Sequence, residues 1–388
     1  MASALFNRLV LGKEVPTLDS NPSVMSHKDA KGGLGGLIGS GKHVLWVASC
    51  GGHLAELKKM ADLYSSKNVE STWVTFDTPQ SRSMLNGLNV HYISRIGTRD
   101  AKGTLQALVA AYSILRGGTY DCVVSTGAAV AVSFLPLATM LGAEAIYIES
   151  LTRTQGASTT GKILRRFSAV RMFTQYESWS DSRWKFVGSV LDGWEMPLRP
   201  EGGANRLLVS LGTIRPYRFD RAVNAVISVL PEGCSVTWQL GATTRRDLPG
   251  EVHEEVGWED MGRLIQEADI YVCHAGVGSV LQALDNGVMP VLAVRSAREG
   301  EHVDDHQSFF AQEIVRRGLG TVLDLSGNGP GSLQRAEEPV LIERMSSNGG
   351  IPVRRLPRGT ELAPVLSRLA HRHPSRSRHR EALERRPQ

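Results

Sequence analysis

What most constrains the fold of this chain is a rhythm: from His43 onward, short apolar runs alternate with segments of helical period, and the pattern occurs twice. In the first half, strands are predicted over 44–49, 71–76, 90–93, 122–125 and 145–149, separated by helices over 54–64, 80–85, 103–115 and 128–141. The second half predicts strands over 207–210, 235–239, 251–256, 270–273, 291–293 and 321–324, with helices over 219–230, 262–267, 279–286 and 304–317. Short apolar strands that alternate with helices make a parallel sheet covered on both faces, so the expected class is α/β with two doubly wound domains. Pro197, Pro200, Gly202 and Gly203 mark the passage between the halves. The expected division is therefore a Gly/Ser/Lys-rich leader (1–41), a first domain (42–190), a linker (191–205), a second domain (206–330) and a C-terminal segment (331–388) with a basic, disordered tail. Two such domains facing each other would hold a ligand in a cleft at the carboxyl ends of both sheets.

Charge narrows the class of ligand. The formal net charge is +5, but residues 354–388 alone hold ten Arg against three Glu, and residues 1–353 carry 34 basic and 36 acidic groups. A body with balanced charge lacks the basic surface that nucleic acid requires, so no nucleic-acid partner is expected. Cys50, Cys122, Cys234 and Cys273 form no C-x-x-C pair and sit in or beside apolar runs. They read as buried thiols in a reducing compartment. Signal-peptide character is absent from the first residues. The longest apolar stretch, Ala128 to Ala145, is broken by Ser133, Pro136, Thr139 and Gly142. At about 18 residues it only reaches the lower limit of a membrane span, and a buried or interfacial helix is expected instead.

Two strand–glycine–helix turns carry the candidate chemistry. In Ser49-Cys50-Gly51-Gly52-His53 two residues without Cβ let backbone N–H groups approach an anion, beside the positive end of the following helix dipole. His53 at that mouth would accept a proton or pair with a phosphate; an ordinary βα turn is the plain alternative. In His274-Ala275-Gly276-Val277-Gly278-Ser279 a second strand runs into a glycine turn, and Ser279 would cap the helix or give its hydroxyl to a phosphate. The spacing is not G-x-G-x-x-G, which disfavours a nicotinamide or flavin cofactor, and no cofactor is expected.

A third cluster, Glu299 to Gln307, places Glu301, His302, Asp304, His306 and Gln307 before a predicted helix. Metal ligation, helix capping and hydrogen bonds to sugar hydroxyls all fit these residue types. No D-x-D occurs in the chain, so a leaving diphosphate would be neutralised by N–H groups, a helix dipole and hydroxyls, and no metal is expected. Gly212 and Thr213 end a strand where their N–H groups would reach a phosphate. Val256 and Trp258 precede a helix where an aromatic would flank a nucleobase or simply pack. Arg165, Arg166 and the Arg-rich tail are solvated charges or contacts to an anionic lipid surface.

Taken in order, Gly257-Trp258-Glu259-Asp260-Met261, the Cys273 to Ser279 turn and Asp305-His306-Gln307 resemble the nucleotide-binding domain of family 28 glycosyltransferases. The first half, with Ser49 to His53, Ser125-Thr126-Gly127-Ala128-Ala129-Val130 and Ile148-Glu149-Ser150, resembles the membrane-recruiting partner subunit of dolichol-linked chitobiose synthase and bacterial exopolysaccharide glucuronosyl and galactosyl transferases. The chain thus resembles a fusion of the two synthase subunits. That resemblance implies a GT-B fold of two Rossmann-like domains and an inverting, metal-independent UDP-sugar-dependent hexosyltransferase. It places the donor against Gly212, Thr213, Val256, Trp258, His274, Ala275, Gly276, Gly278, Ser279, Gln282, Glu301, His306 and Gln307. It places a polyprenyl-diphosphate-linked sugar acceptor against Gly51, Gly52, Thr126 and Gly127, with His53 or Glu149 as base. Two positions depart from the family pattern: Gln282 stands where Glu is common, and Phe310 where one branch has Asn. The implied location is cytoplasmic and peripheral, on the inner, anionic face of the plasma membrane. A UDP-sugar epimerase of the same fold and a non-catalytic scaffold that recruits another transferase are the alternatives.

Overall fold

The computed structural model describes residues 38, 41–64, 68–96, 101–195, 206–230, 233–325 and 354–355. The leader and most of the C-terminal segment, including the basic tail, lie outside the described residues. The first domain is a seven-stranded parallel sheet of β1 (His43–Val47), β2 (Glu70–Phe76), β3 (Asn89–Ile93), β4 (Cys122–Ser125), β5 (Glu144–Ile148), β6 (Val170–Thr174) and β7 (Trp184–Phe186), in the order β3-β2-β1-β4-β5-β6-β7. Its helices are α1 (Gly52–Tyr64), α2 (Pro79–Met84), α3 (Ala101–Gly117), α4 (Ala129–Met140) and α5 (Thr159–Leu164). All five strands predicted there are present. The sequence reading missed β6, β7 and α5: β6 is interrupted by the exposed Arg171, β7 is a three-residue edge strand containing Lys185, and α5 is too short to show a period.

After the two-residue β8 (Trp194–Glu195), the second domain is a six-stranded parallel sheet of β9 (Arg206–Ser210), β10 (Ser235–Gln239), β11 (Glu251–His253), β12 (Ile270–His274), β13 (Val291–Ala293) and β14 (Thr321–Val322), in the order β11-β10-β9-β12-β13-β14. Helices α6 (Asp220–Val229), α7 (Trp258–Glu267), α8 (Val277–Asp285) and α9 (His306–Arg316) complete it. In both sheets the order reverses beside the first strand of the domain, so each has a switch point where loops part and a ligand fits. Finally β15 (Arg354–Arg355) pairs antiparallel with β8, which ties the first two arginines of the basic stretch to the end of the first domain.

Packing fixes how the two switch points meet. One apolar cluster runs unbroken from Trp46, Leu54 and Leu57 of the first domain through Trp194 to Met261, Val277 and Leu281 of the second. Helices α1 and α8 cross with glycine against glycine: a Cβ on Gly278 would lie 3.6 Å from the Gly52 Cα. Beside this crossing the buried Lys59 ion-pairs with Asp285 and places its ammonium 4.6 Å from the Trp194 ring centre. Arg317 reaches back to Asp192 at 2.5 Å.

Cys122 and Cys273 are buried thiols on β4 and β12, whereas Cys50 and Cys234 are partly exposed and only half meet the expectation of burial. Helix α4 buries Val130, Ala131, Phe134, Leu135 and Ala138. No helix among the described residues is long and apolar enough to cross a membrane. Helices α3 and α4 nonetheless leave apolar side chains in solvent: Leu105, Leu108, Val109 (67% exposed) and Tyr112 share one face of α3, and Met140, the last residue of α4, is 81% exposed.

Candidate functional site

Three helices start at the carboxyl ends of adjoining strands and aim their N-termini at the space between the domains: α1 after β1, α4 after β4 and α8 after β12. Each presents N–H groups without an intrahelical partner, and the helix dipole favours an anion there. Gly51 takes φ +71°, which lets the chain turn from β1 into α1. His53 then stands in the first turn of α1, its carbonyl held by the Thr126 hydroxyl at 3.0 Å. Its ring lies over Gly127, where a Cβ would come within 3.1 Å of Cε1. Gly127 (φ +128°) and Ala128 (φ +62°) carry the backbone into α4, and Ala128 is the one residue other than glycine with positive φ among those described. Such a conformation costs of order 1–3 kcal/mol and is typical of functional turns.

In the second domain His274 ends β12, and its ring organises both facing turns. A Cβ on Gly212 would sit 2.5 Å from Cε1 of that ring, and one on Gly276 would sit 2.2 Å from Nε2. Both positions therefore exclude a side chain. Gly276 is the N-cap of α8, so Ser279 does not cap it as predicted: it is a first-turn residue whose hydroxyl lies 3.4 Å from His274 Nδ1. Gln282 is buried and donates to the Trp258 carbonyl at 2.6 Å, which fixes its amide and leaves its oxygen as the free acceptor. Ala275 is buried, Val256 and Trp258 are half-buried on the α7 side, and Thr213 is exposed at the mouth of the cleft.

The loop leading into α9 is held from within. Glu301 is buried and pairs with Arg221 through both carboxylate oxygens, at 3.1 and 2.8 Å, while Ser296 N–H donates to it at 3.0 Å. Its side chain is thus committed to the loop rather than presented to a ligand. Glu149 is similarly occupied: it is 1% exposed and accepts from the Tyr147 hydroxyl (2.9 Å), Ser158 N–H (2.9 Å) and Ser158 Oγ (3.1 Å), tying β5 to the start of α5. His302 and His306 come together from the loop and the first residue of α9, rather than from successive turns of one helix. A cavity of about 510 Å³ opens between Thr152 to Ala157 and Lys162 of the first domain and Asp304, Asp305, His306 and Phe309 of the second. Arg153 spans it to Asp304 at 3.6 Å.

Electrostatics in the cleft favour neutral imidazoles. Burial, and then the charge of Arg153, lowers the pKa of His53 to about 4, and burial with Arg295 lowers that of His274 to about 3. Both are free bases at neutral pH. One turn behind His53, burial raises the Glu56 carboxyl to about 7, although it accepts from Ser150, Leu151 and Gln175. His306 Nδ1 and Asp304 Oδ1 engage each other, whereas one buried polar atom on each wall, His53 Nδ1 and Gln307 Oε1, has no hydrogen-bond partner. Buried polar atoms are almost always satisfied, so the two mark a place where a ligand completes the bonding.

Sequence reasoning missed Arg153, Glu56, Gln175 and Arg295. Arg153 had a signal, a cation four residues past the end of the predicted strand 145–149, but its partner Asp304 belongs to the other domain. Glu56 lies four residues past Gly52 in a helix whose mixed polar sequence concealed its complete burial.

Residues 207–337 match the glycosyltransferase family 28 C-terminal domain. A UDP-N-acetylglucosamine–N-acetylmuramyl-(pentapeptide) pyrophosphoryl-undecaprenol N-acetylglucosamine transferase of Chlorobium limicola is 25% identical over 239 residues, 56% of this chain and 63% of that protein. This chain therefore spans less than two thirds of that relative. The protein of the same name from Acinetobacter baylyi is 23% identical over 81% of this chain and 93% of its own length. Among solved structures, Acinetobacter baumannii MurG superposes with a TM-score of 0.51 at 19% identity, covering 78% of this chain and 92% of that one. The UDP-GlcNAc 2-epimerase of Methanocaldococcus jannaschii also gives 0.51, at 12% identity over 81% and 95% of the two chains. The superpositions establish the architecture, two Rossmann-like domains about a cleft in the GT-B arrangement, and residues 207–337 of the second half carry the likeness to the glycosyltransferase family 28 C-terminal domain.

Proposed function

We propose that this chain transfers a sugar from a UDP-sugar to a polyprenyl-diphosphate-linked saccharide with inversion at the anomeric carbon. N-acetylglucosamine, the sugar in the relatives' names, is the donor sugar to test first. The observation that carries this reading is the meeting of the α1 and α8 N-termini across the cleft, beside the unpartnered buried His53 Nδ1 on α1 and Gln307 Oε1 on α9. The acceptor hydroxyl gives its proton to His53, its oxygen bonds to C1 of the sugar, and the bond from C1 to the diphosphate oxygen breaks. The UDP then leaves against the N–H groups of Gly276, Gly278 and Ser279 and the dipole of α8, which serve where a metal would otherwise balance the charge. Gln282 and Trp258 hold the nucleoside end, and the His306–Gln307 segment meets the sugar hydroxyls.

His53 is favoured over Glu149 as base because its Nδ1 has no partner, whereas the Glu149 carboxylate already accepts three hydrogen bonds. An anionic diphosphate near Arg153 would offset the charge that depresses His53 and raise its proton affinity when substrate binds. The exposed apolar face of α3 with Met140 supports docking on a membrane surface, where a lipid-anchored acceptor resides. Incubation of the purified chain with a panel of UDP-sugars, with and without a polyprenyl-diphosphate sugar, tests the reading. UDP release and a product heavier by one sugar only when the acceptor is present are the expected result. Sugar interconversion without acceptor would identify an epimerase instead, and UDP-sugar binding without product would identify a scaffold.

A further inference from the structure

We propose that His302, Asp304 and His306 form a site for a first-row divalent cation of the Zn²⁺ class. Among the described residues, these three bring one ligand atom each to within 4.8 Å of one another. A metal bonded to nitrogen and oxygen at about 2.0–2.2 Å needs its ligand atoms roughly 3.4 Å apart in a tetrahedron, which small side-chain rotations supply. Asp304 Oδ1 lies 3.4 Å from His302 Nδ1 and also touches His306 Nδ1. One carboxylate oxygen thus already draws both imidazoles toward it. A cation that takes the place of the shared proton would hold the same three groups together.

The surroundings support the same assignment. Arg153 approaches the other carboxylate oxygen, Oδ2, leaving Oδ1 for the ion. The loop is braced by Asp305, which accepts from Ala297 N–H at 2.8 Å, and by Arg295, which donates to the Glu301 carbonyl at 2.9 Å. Tyr217 stacks on His302 with ring centres 6.2 Å apart. Rigid supporting contacts of this kind fix ligand orientation in metal sites. Asp304 and His306 also line the cavity between the domains, so a fourth position faces it and would take water or a phosphate oxygen. Two imidazoles with one carboxylate suit Zn²⁺ and Co²⁺ rather than Mg²⁺ or Ca²⁺. The missing D-x-D bears only on an ion bridging a nucleotide diphosphate, and this site shares His306 with the segment placed on the sugar hydroxyls.

Co²⁺ and Zn²⁺ titrations of the full-length, metal-stripped protein without substrate provide the test. One equivalent of Co²⁺ is expected to give the intense visible absorption of a four-coordinate ion, displaced by Zn²⁺. Asp304→Asn, which keeps the side chain's shape, and His306→Ala are each expected to weaken that equivalent at least tenfold, while His253→Ala, on β11, leaves it unchanged. Circular dichroism of each variant separates loss of the site from loss of the fold. Absence of stoichiometric binding, or equal binding by the Asp304→Asn/His306→Ala double variant, would overturn the proposal. Because the readout needs no sugar nucleotide, failure of transferase activity leaves this result intact.

Discussion

His53 offers the sharpest test of the electrostatics of the cleft. Its pKa falls from 6.5 to about 4 on folding, chiefly through burial and then through Arg153 and His306. A group whose pKa drops on folding binds more protons when unfolded, so stability is fully present above pH 6.5 and drains as the pH falls toward 4. At 1.36 kcal/mol per unit, the full loss is about 3 kcal/mol, of which about 2 kcal/mol falls between pH 7 and pH 5. His53→Gln removes this component and leaves the parallel loss from His274 in place. Urea unfolding of parent and variant at the two pH values isolates it: the parent should lose about 2 kcal/mol more than the variant on acidification. Equal losses would mean that His53 titrates normally, and the picture of a desolvated neutral base would fail. The same neutral state predicts an acid limb of kcat/KM well below pH 6.5 and a loss of roughly 10²–10⁴-fold in turnover for His53→Ala with UDP binding retained.

Glu56 behaves in the opposite sense. Its pKa rises on folding to about 7, so its contribution is whole below pH 4.5 and is lost as the pH climbs through 7. Glu56→Gln keeps the same shape and acceptor and should stabilise the fold by up to about 3 kcal/mol at pH 8 with no gain at pH 4, read from urea midpoints. Gly276→Ala has ordinary backbone angles but forces the His274 ring away, which should cost about 1–3 kcal/mol and weaken UDP binding measured by calorimetry. Leu105→Glu with Val109→Glu should reduce sedimentation with anionic vesicles while leaving the melting temperature unchanged; unaltered sedimentation would remove the α3 face from the membrane reading.

The parts of this molecule that are legible in the sequence are those governed by local pattern. Eleven apolar runs predicted as strands are strands, and the two glycine turns stand where the strands end. What escaped has non-local causes. Strand β6 is held by pairing to β5, and β7 by pairing to β6, and not by their own apolarity, since Arg171 and Lys185 interrupt them. Helix α8 starts at Val277 with Gly276 as its N-cap, and the His274 ring fills the space that a side chain at 276 would need. Glu301 read as a ligand contact, yet its partner Arg221 lies 80 residues away. Arg153 was not placed in the cleft because its counter-charge, Asp304, sits in the other domain. A single sequence reveals which residues can do chemistry at a strand end. Which of them are already occupied depends on residues brought in by the fold.

Gly52 shows how the two kinds of information can be separated by experiment. Its sequence context suggests a glycine kept small for a phosphate, and its structural context suggests a glycine kept small for the crossing with α8. The geometry decides what packing alone requires: a Cβ at Gly52 would lie 3.5 Å from Val277 Cβ and 3.6 Å from Gly278 N, which is ordinary contact. Gly52 also has a backbone conformation open to any residue, unlike Gly51 at φ +71°. Gly52→Ala should therefore fold with stability within about 0.5 kcal/mol of the parent. Backbone approach by a diphosphate is more demanding, because a methyl group over the first turn of α1 displaces the anion from the N–H groups. Turnover with lipid-linked acceptor should then fall at least tenfold at unchanged melting temperature. Unchanged kinetics would assign this glycine to packing alone and move the acceptor diphosphate away from α1. Lost stability would show that the crossing is tighter than its contact distances imply.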